Sequence, residues 1–305
     1  MTNAIHASLD ELIALAAYAR GASIDARRRS PAAHSGGHQS RWRGRGVDFR
    51  ESRIYQAGDD IRHMDWRVTA RSGKPHTKLF EEEREQGLLL ALDCNPTMHF
   101  GTRVRFKNVQ AARAAALLAW MAARRGDRVG AIGFGGGIET ETKPAGGRRG
   151  VLRTLRALRD WDAAADARDE PLSAALPRMQ RLLRPGMRLT LLSDGFSFDE
   201  PARAALSRIA ARHETSVVLV RDALEVSAPP PGRYALQVGD ARRIIDFDDS
   251  GTRASWETRF ADARARLRDA CARLGVRVLD IDAHADVRRG LAPMLARNRV
   301  AVGAA

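Results

Sequence analysis

The sequence predicts a doubly wound α/β protein: a mainly parallel sheet with helices on both faces, and a small β-rich addition near the N-terminus. Three observations carry that reading. From residue 86 onward, short apolar runs of strand length alternate with longer helical patterns, the rhythm of parallel strands joined by helical crossovers. Those runs are nearly continuous in Leu, Val and Ile, as strands covered on both faces should be. The stretch 41–85 has another texture, dense in charge, turns and aromatic residues.

The elements follow in order. Residues 5–20 place Leu9, Leu12, Ile13, Ala16 and Ala17 on one helical face. Asp10 and Glu11 stand where a signal peptide would have its apolar core, so the segment reads as a helix and not as a leader. Residues 21–40, with Pro31, Gly36 and Gly37, read as a flexible linker, and 1–40 is taken as helix plus linker. In 41–85, short extended pieces are expected, with turns at Ala57-Gly58-Asp59 and Ser72-Gly73-Lys74, and the charge run Glu81–Glu85 as a solvated face. Residues 86–305 form the α/β domain. Strands are expected at Gly87–Leu92, Val129–Phe134, Arg188–Ser193, Ser216–Val220 and Val276–Ile281. Helices are expected at Lys107–Arg125, Arg148–Asp160, Leu172–Leu183 (disturbed by Pro177), Ala202–Arg212 and Ala254–Leu274. Tyr234–Val238 and Arg243–Phe247 read as a β-hairpin.

Composition excludes several classes. The longest apolar segment, Ala111–Ala123, is interrupted by Arg113, so no transmembrane helix is expected. The two cysteines, Cys94 and Cys271, form no Cys-x-x-Cys pair, which argues against a disulfide scaffold or structural zinc and fits a reducing, cytoplasmic setting. The net charge of +14 invites a nucleic-acid reading. However, only Lys74, Lys78, Lys107 and Lys143 are lysines, and the arginines are spread along the chain among Asp and Glu. A dispersed basic surface attracts polyanions weakly and without specificity. There is no phosphate-binding Gly-x-x-x-x-Gly-Lys loop and no Gly-x-Ser-x-Gly elbow. Cys94 adjoins Asp93, whose charge disfavours a thiolate, so it is not read as a nucleophile. His63, His76 and His99 are single residues near arginines or loops, and each reads by default as a surface or structural histidine.

Two strands end directly in an acid: Leu88–Leu92 runs into Asp93-Cys94-Asn95-Pro96-Thr97, and Leu189–Ser193 into Asp194-Gly195-Phe196-Ser197. Ligands of open α/β sheets bind beyond the carboxyl ends of the strands. If both strands are central, Asp93 and Asp194 face one another, and oxygen ligands there suit a hard cation such as Mg²⁺. Each Asp also has a plain structural reading as a turn or cap.

The order strand, Asp93-x-Asn95-x-Thr97, long helix, strand, then strand–Asp194-Gly195 resembles a von Willebrand factor type A domain. That family's first loop, Asp-x-Ser-x-Ser, forms most of a metal-ion-dependent adhesion site. Here Asn95 and Thr97 stand at the two Ser positions, and Asp194 matches the acid of the third loop. The family's second-loop Thr is expected near the start of the helix after the second strand, where Ala145–Gly150 offers no hydroxyl. A second pattern is Arg53-x-Tyr55-x-x-Gly58-Asp59-Asp60-x-Arg62-x-x-Asp65-Trp66, then Arg71. It resembles the signature of the bacterial family known as domain of unknown function 58, whose members carry a type A-like domain and often accompany MoxR-type AAA+ ATPases. Read from the residues alone, Tyr55 and Trp66 would form a small satellite core, and the acids and arginines a salt-bridge network.

Together these features imply a non-enzymatic adaptor that binds a MoxR-type ATPase through Asp93, Asn95, Thr97 and Asp194, with Mg²⁺ as a possible bridge. A metal-dependent phosphoesterase, with the two acids holding Mg²⁺, is the alternative of another class. Non-specific nucleic-acid binding is the third.

Overall fold

The computed structural model describes residues 4–19, 22–24, 47–56, 59–82, 86–164, 166, 168–238 and 241–297. The expected linker 21–40 lies almost wholly outside them, as does Gly58 of the signature. The chain divides into two compact units, Arg27–Glu85 and the α/β unit made of Met1–Ala26 with Gln86–Ala305.

In the α/β unit the chain forms α1 (Leu9–Ala14), continued by a 3-10 turn, and a short strand β1 (Ala22–Ile24). The smaller unit holds β2 (Val47–Ile54), α2 (Trp66–Ser72) and β3 (His76–Glu82). The α/β unit resumes with β4 (Gly87–Asp93), α3 (Lys107–Arg124), β5 (Arg128–Phe134), β6 (Glu141–Ala145), α4 (Gly147–Ala164) and α5 (Leu172–Leu182). It continues with β7 (Met187–Ser193), α6 (Glu200–Ala210), β8 (Thr215–Arg221) and α7 (Ala223–Val226). The hairpin β9 (Arg233–Val238) and β10 (Ala241–Asp246) leads to α8 (Ser250–Arg273), β11 (Arg277–Asp282), α9 (Val287–Leu291) and β12 (Leu295–Arg297).

The central sheet has the order β11-β8-β7-β4-β5-β6. All neighbours are parallel except β6, which runs antiparallel at the edge beside β5. The sheet is built because β4 and β7 are mostly apolar and buried at every position. Side chains alternate across a strand. Leu88, Leu90 and Leu92 therefore enter one core with α1, α3 and α4, and Leu89 and Ala91 enter the other with α5, α6 and α8. Each fully buried Leu stabilises by roughly 1.5–3 kcal/mol. The parallel sheet with helices on both faces is the expected architecture.

Helix α3 is buried from Lys107 to Ala122 at every position but Arg113. Its alanines let the sheet, α1 and α4 approach closely, at little side-chain entropy. The N-terminal helix is part of this packing. Trp120 Nε1 donates to the Leu12 carbonyl at 3.1 Å, and the Ala7 amide donates to the buried Asp162 carboxylate at 2.8 Å. Asn108 Nδ2 donates to the other Asp162 oxygen.

Three expectations need correction. Glu141–Ala145 is a strand that the reading missed, an edge strand where Pro144 is tolerated because an edge can lack a ladder donor. Helix α5 runs through Pro177 unbroken, since Leu172, Ala175, Leu176, Met179 and Leu182 hold both halves on the sheet. In the smaller unit the extended pieces are two paired strands, β2 and β3, but a 3-10 turn (Ile61–His63) and helix α2 lie between them.

Candidate functional site: the crevice beyond β4 and β7

Strands β4 and β7 are direct neighbours, with Leu92 opposite Leu192. The chain leaves β4 toward β5 on one side and reaches β7 on the other, so their carboxyl ends form a switch point of the sheet, where α/β folds place ligand crevices. Asp93 ends β4 and Asp194 follows β7, so the structure brings the two acids to the same place.

Asp93 is fully buried. Its Oδ1 accepts from the Asn95 amide N–H at 3.0 Å and from Asn95 Nδ2 at 2.8 Å. Its Oδ2 accepts from Ser193 Oγ at 2.6 Å and Ser197 Oγ at 2.7 Å. Burial and the charge of Asp194 push the Asp93 carboxyl up to about 6, against the pull of those donors. Asn95 is equally committed. Its Nδ2 also donates to the Glu170 carbonyl at 3.0 Å, and its Oδ1 accepts from the Glu170 amide at 2.7 Å. Thr97 Oγ1 is buried without a hydrogen-bond partner.

Asp194 is also buried. Its Oδ1 accepts from the Phe196 amide at 3.0 Å, closing a turn in which Gly195 takes φ +93°. Its Oδ2 accepts from Lys107 Nζ at 2.7 Å. Lys107, the first residue of α3, is wholly buried, and its ammonium also pairs with Glu225 of α7. Burial disfavours that ammonium, but Asp194 and Glu225 outweigh it and its pKa moves up. Phe100 and Phe196 present rings 5.9 and 6.0 Å from the nitrogen. Phe196 in turn packs edge-on against Phe260 of α8, and Trp256 and Phe247 continue the aromatic chain to Tyr234 of the hairpin.

The stretch Ala145–Gly150, where a second-loop hydroxyl was sought, lies at the wrong end of the sheet: Ala145 pairs with Val129, near the start of β5. The loop that closes on Asn95 instead precedes α5 and carries Glu170, whose Oε2 accepts from the Gly135 amide at 2.8 Å. Gly135 has φ +77°, and a Cβ there would lie 2.5 Å from the Asn95 side chain. Gly135→Ala is expected to lower stability by about 2–4 kcal/mol, combining left-handed strain with overpacking. Gly147→Ala is the control. It has φ +66° but open space around the added carbon, so it should lose only about 1–2 kcal/mol when both variants are compared by urea titration.

These residues do not fit a Mg²⁺ ion. A divalent cation needs carboxylate and amide oxygens with free lone pairs. Both Asp93 oxygens accept two donors each, the Asn95 oxygen serves Glu170, and the outer Asp194 oxygen holds an ammonium. Only the Thr97 hydroxyl in the expected set is unpartnered. Among the described residues, no cluster of three or more His, Cys, Asp or Glu could hold a metal ion. The same saturation leaves Asp93 no free lone pair for general-base work, while Asp194 is held by the Lys107 ammonium. Cys94 follows its expectation: burial, then the Asp93 charge, push its thiol well up.

Sequence reasoning found Asp93 and Asp194 but missed Lys107, Glu225, Ser193, Ser197 and Glu170 as parts of the site. One signal was present. In a chain whose basic residues are nearly all Arg, a Lys opening an Ala-rich helix directly after the Asp93 loop marks a place for a compact cation.

In the smaller unit the signature acids act as staples and caps. Asp59 accepts from Arg53 Nη2 at 2.6 Å and from the Gln56 amide at 2.9 Å. Asp60 caps the 3-10 turn through the Arg62 amide at 2.9 Å. Asp65 is buried, caps α2 through the Val68 amide and accepts from Ser52 Oγ at 2.7 Å. Tyr55 is half-buried, and its amide donates to the Pro75 carbonyl at 2.9 Å. Trp66, expected in a satellite core, is 67% exposed, because Asp65 as N-cap turns the first helical residue outward. Arg62 and Arg71 are exposed as well.

Among the described residues, no helix is long and apolar enough to cross a membrane. The chain is 30% identical over 236 residues to uncharacterized proteins of Mycobacterium bovis and Mycobacterium tuberculosis, covering 76% of this chain and 73% of those. Among solved structures it is similar to BatB from Bacteroides thetaiotaomicron, at 14% identity and TM-score 0.37, over 62% of this chain and 98% of that one. It is also similar to an aerotolerance-related membrane protein from Bacteroides fragilis, at 13% identity and TM-score 0.42, over 68% and 96%. The model of the family described as protein of unknown function DUF58 matches residues 51–266; with the capped signature and the α/β unit in place, the chain belongs to that family.

Proposed function

We propose that the chain is a non-enzymatic, cytoplasmic interaction protein with a von Willebrand factor type A-like domain, whose carboxyl-end loops dock a MoxR-type AAA+ ATPase. One observation carries the reading. Val104, on the loop before α3, and Val226, at the end of α7, are 50% and 48% exposed on segments that the buried network locks together. Thr102 Oγ1 and N–H donate to the two Asp222 oxygens at 2.5 and 3.0 Å, and Asp222 caps α7, which ends at Val226. Lys107 joins the same loops from below through Glu225. Exposed apolar side chains on a rigid polar frame are what a protein-binding surface requires, since little loop entropy is lost on association. The net charge of +14 favours a partner with an acidic face. The type of ATPase rests on the family resemblance.

The test is binding of a purified MoxR-type ATPase from the same organism, measured by calorimetry. The wild type is expected to bind. Val104→Asp/Val226→Asp should abolish binding at an unchanged melting temperature, because both positions are exposed. A double variant that binds normally moves the surface elsewhere, and a wild type that binds no such ATPase ends the reading.

A further inference from the structure

We infer that the Lys107 ammonium is the resident cation of this crevice: it occupies the place between the loops where a divalent ion would otherwise sit, and makes the site independent of metal. Three features support this. First, the charges are those of a cation site. Asp194 comes from the loop after β7 and Glu225 from the helix after β8, and both converge on one buried positive point that begins α3, the helix after β4. A metal ion in such a crevice would tie together the same three loops. Second, the ammonium is compact enough to serve. Lys presents a point charge with three donors where the planar Arg fork needs more room, and the chain uses Lys here although nearly all its other cations are Arg. Third, the remaining oxygens of the expected ligand set are already consumed. Asp93 accepts four hydrogen bonds and Asn95 is spent on Glu170. The tethered charge is permanent, so the loops keep their arrangement whatever the divalent-ion concentration. This inference does not depend on the identity of the docking partner.

The experiment uses Mn²⁺ as probe, followed by the electron paramagnetic resonance signal of the free ion, together with melting curves in Mg²⁺, Mn²⁺ and EDTA. The wild-type chain should leave the free-ion signal unchanged and melt at one temperature in all three. Lys107→Met, which keeps Asp93, Asp194 and Glu225, should gain saturable loss of the free-ion signal and melt higher in Mn²⁺ than in EDTA. Adding Asp194→Asn should remove both gains. Where Lys107→Met does not fold, Lys107→Met/Glu225→Gln, with one buried negative charge fewer, carries the same expectation; if neither folds, the wild-type result decides. Mn²⁺ binding by the wild type that Asp194→Asn abolishes overturns the inference. So does a folded Lys107→Met that takes up no Mn²⁺, for then the ammonium is an ordinary buried ion pair.

Discussion

Lys107→Met is expected to lower the stability of the α/β unit by about 3–5 kcal/mol in metal-free buffer, as when one partner of a buried ion pair is removed. The loss comes from what remains. Asp194 and Glu225 lose their common cation at almost no solvent exposure, while Asp93, also buried, stays close enough to feel the Asp194 charge. In a domain of this size a loss of that order lowers the melting temperature by roughly 10 °C. The pH dependence follows from the upward shift of Lys107. A lysine raised in the folded state contributes fully below its unfolded value near 10.4, and its contribution fades as pH rises through the higher folded value. The gap between wild type and variant should therefore stay level through neutral pH and narrow only in strong base. Urea titrations across that range measure it, and a gap under about 1 kcal/mol at neutral pH would mean that the pair is dispensable.

Asp162→Ala is the second large effect, about 2–4 kcal/mol, because it strands two buried donors at roughly 1–3 kcal/mol each. These are the Ala7 amide and Asn108 Nδ2, which meet on the one carboxylate and hold the N-terminal segment against α3 and α4. Asp162→Asn keeps one acceptor oxygen and should lose less. Its comparison with the wild type carries a sign. Burial raises the Asp162 carboxyl above its ordinary value despite Ala7 and His6. The native state then holds the proton more readily than the unfolded state, so the wild type loses stability relative to Asp162→Asn as pH climbs from the ordinary carboxylate range to the raised value. Limited proteolysis provides the structural readout, with cleavage near residues 4–8 faster in Asp162→Ala. Unchanged protection of that segment, with unchanged stability, would show that the clamp does not hold it.

The family signature illustrates how a pattern can be legible while its role is not. Arg53, Asp59, Asp60 and Asp65 could be picked out by spacing, but spacing does not distinguish a salt-bridge network from a set of caps. Among the described residues the structure pairs Arg53 with Asp59, and the signature carboxylates mostly serve backbone amides. Trp66 was placed inside because it is large and apolar; the cap at Asp65 fixes the helix start, and with it the side on which Trp66 emerges.

By itself the sequence determined the parallel strands and the long helices. A buried parallel strand must be a short, mainly apolar run, as Gly87–Asp93 and Met187–Ser193 are, and that requirement is local. It also determined that two acids stand at strand ends. It did not determine the polar edge strand Glu141–Ala145 or the seven-residue helix Trp66–Ser72, which bury no continuous apolar stripe to announce them. Only the tertiary structure decided what the acids do. Lys107 meets Asp194 across 87 positions of sequence and Glu225 across 118, and Ser193 reaches Asp93 across 100. A carboxylate binds metal, accepts a proton or anchors a loop according to which donors fill its lone pairs. The distant donors arrive from a strand end, a loop and a helix start that become neighbours only when the sheet forms.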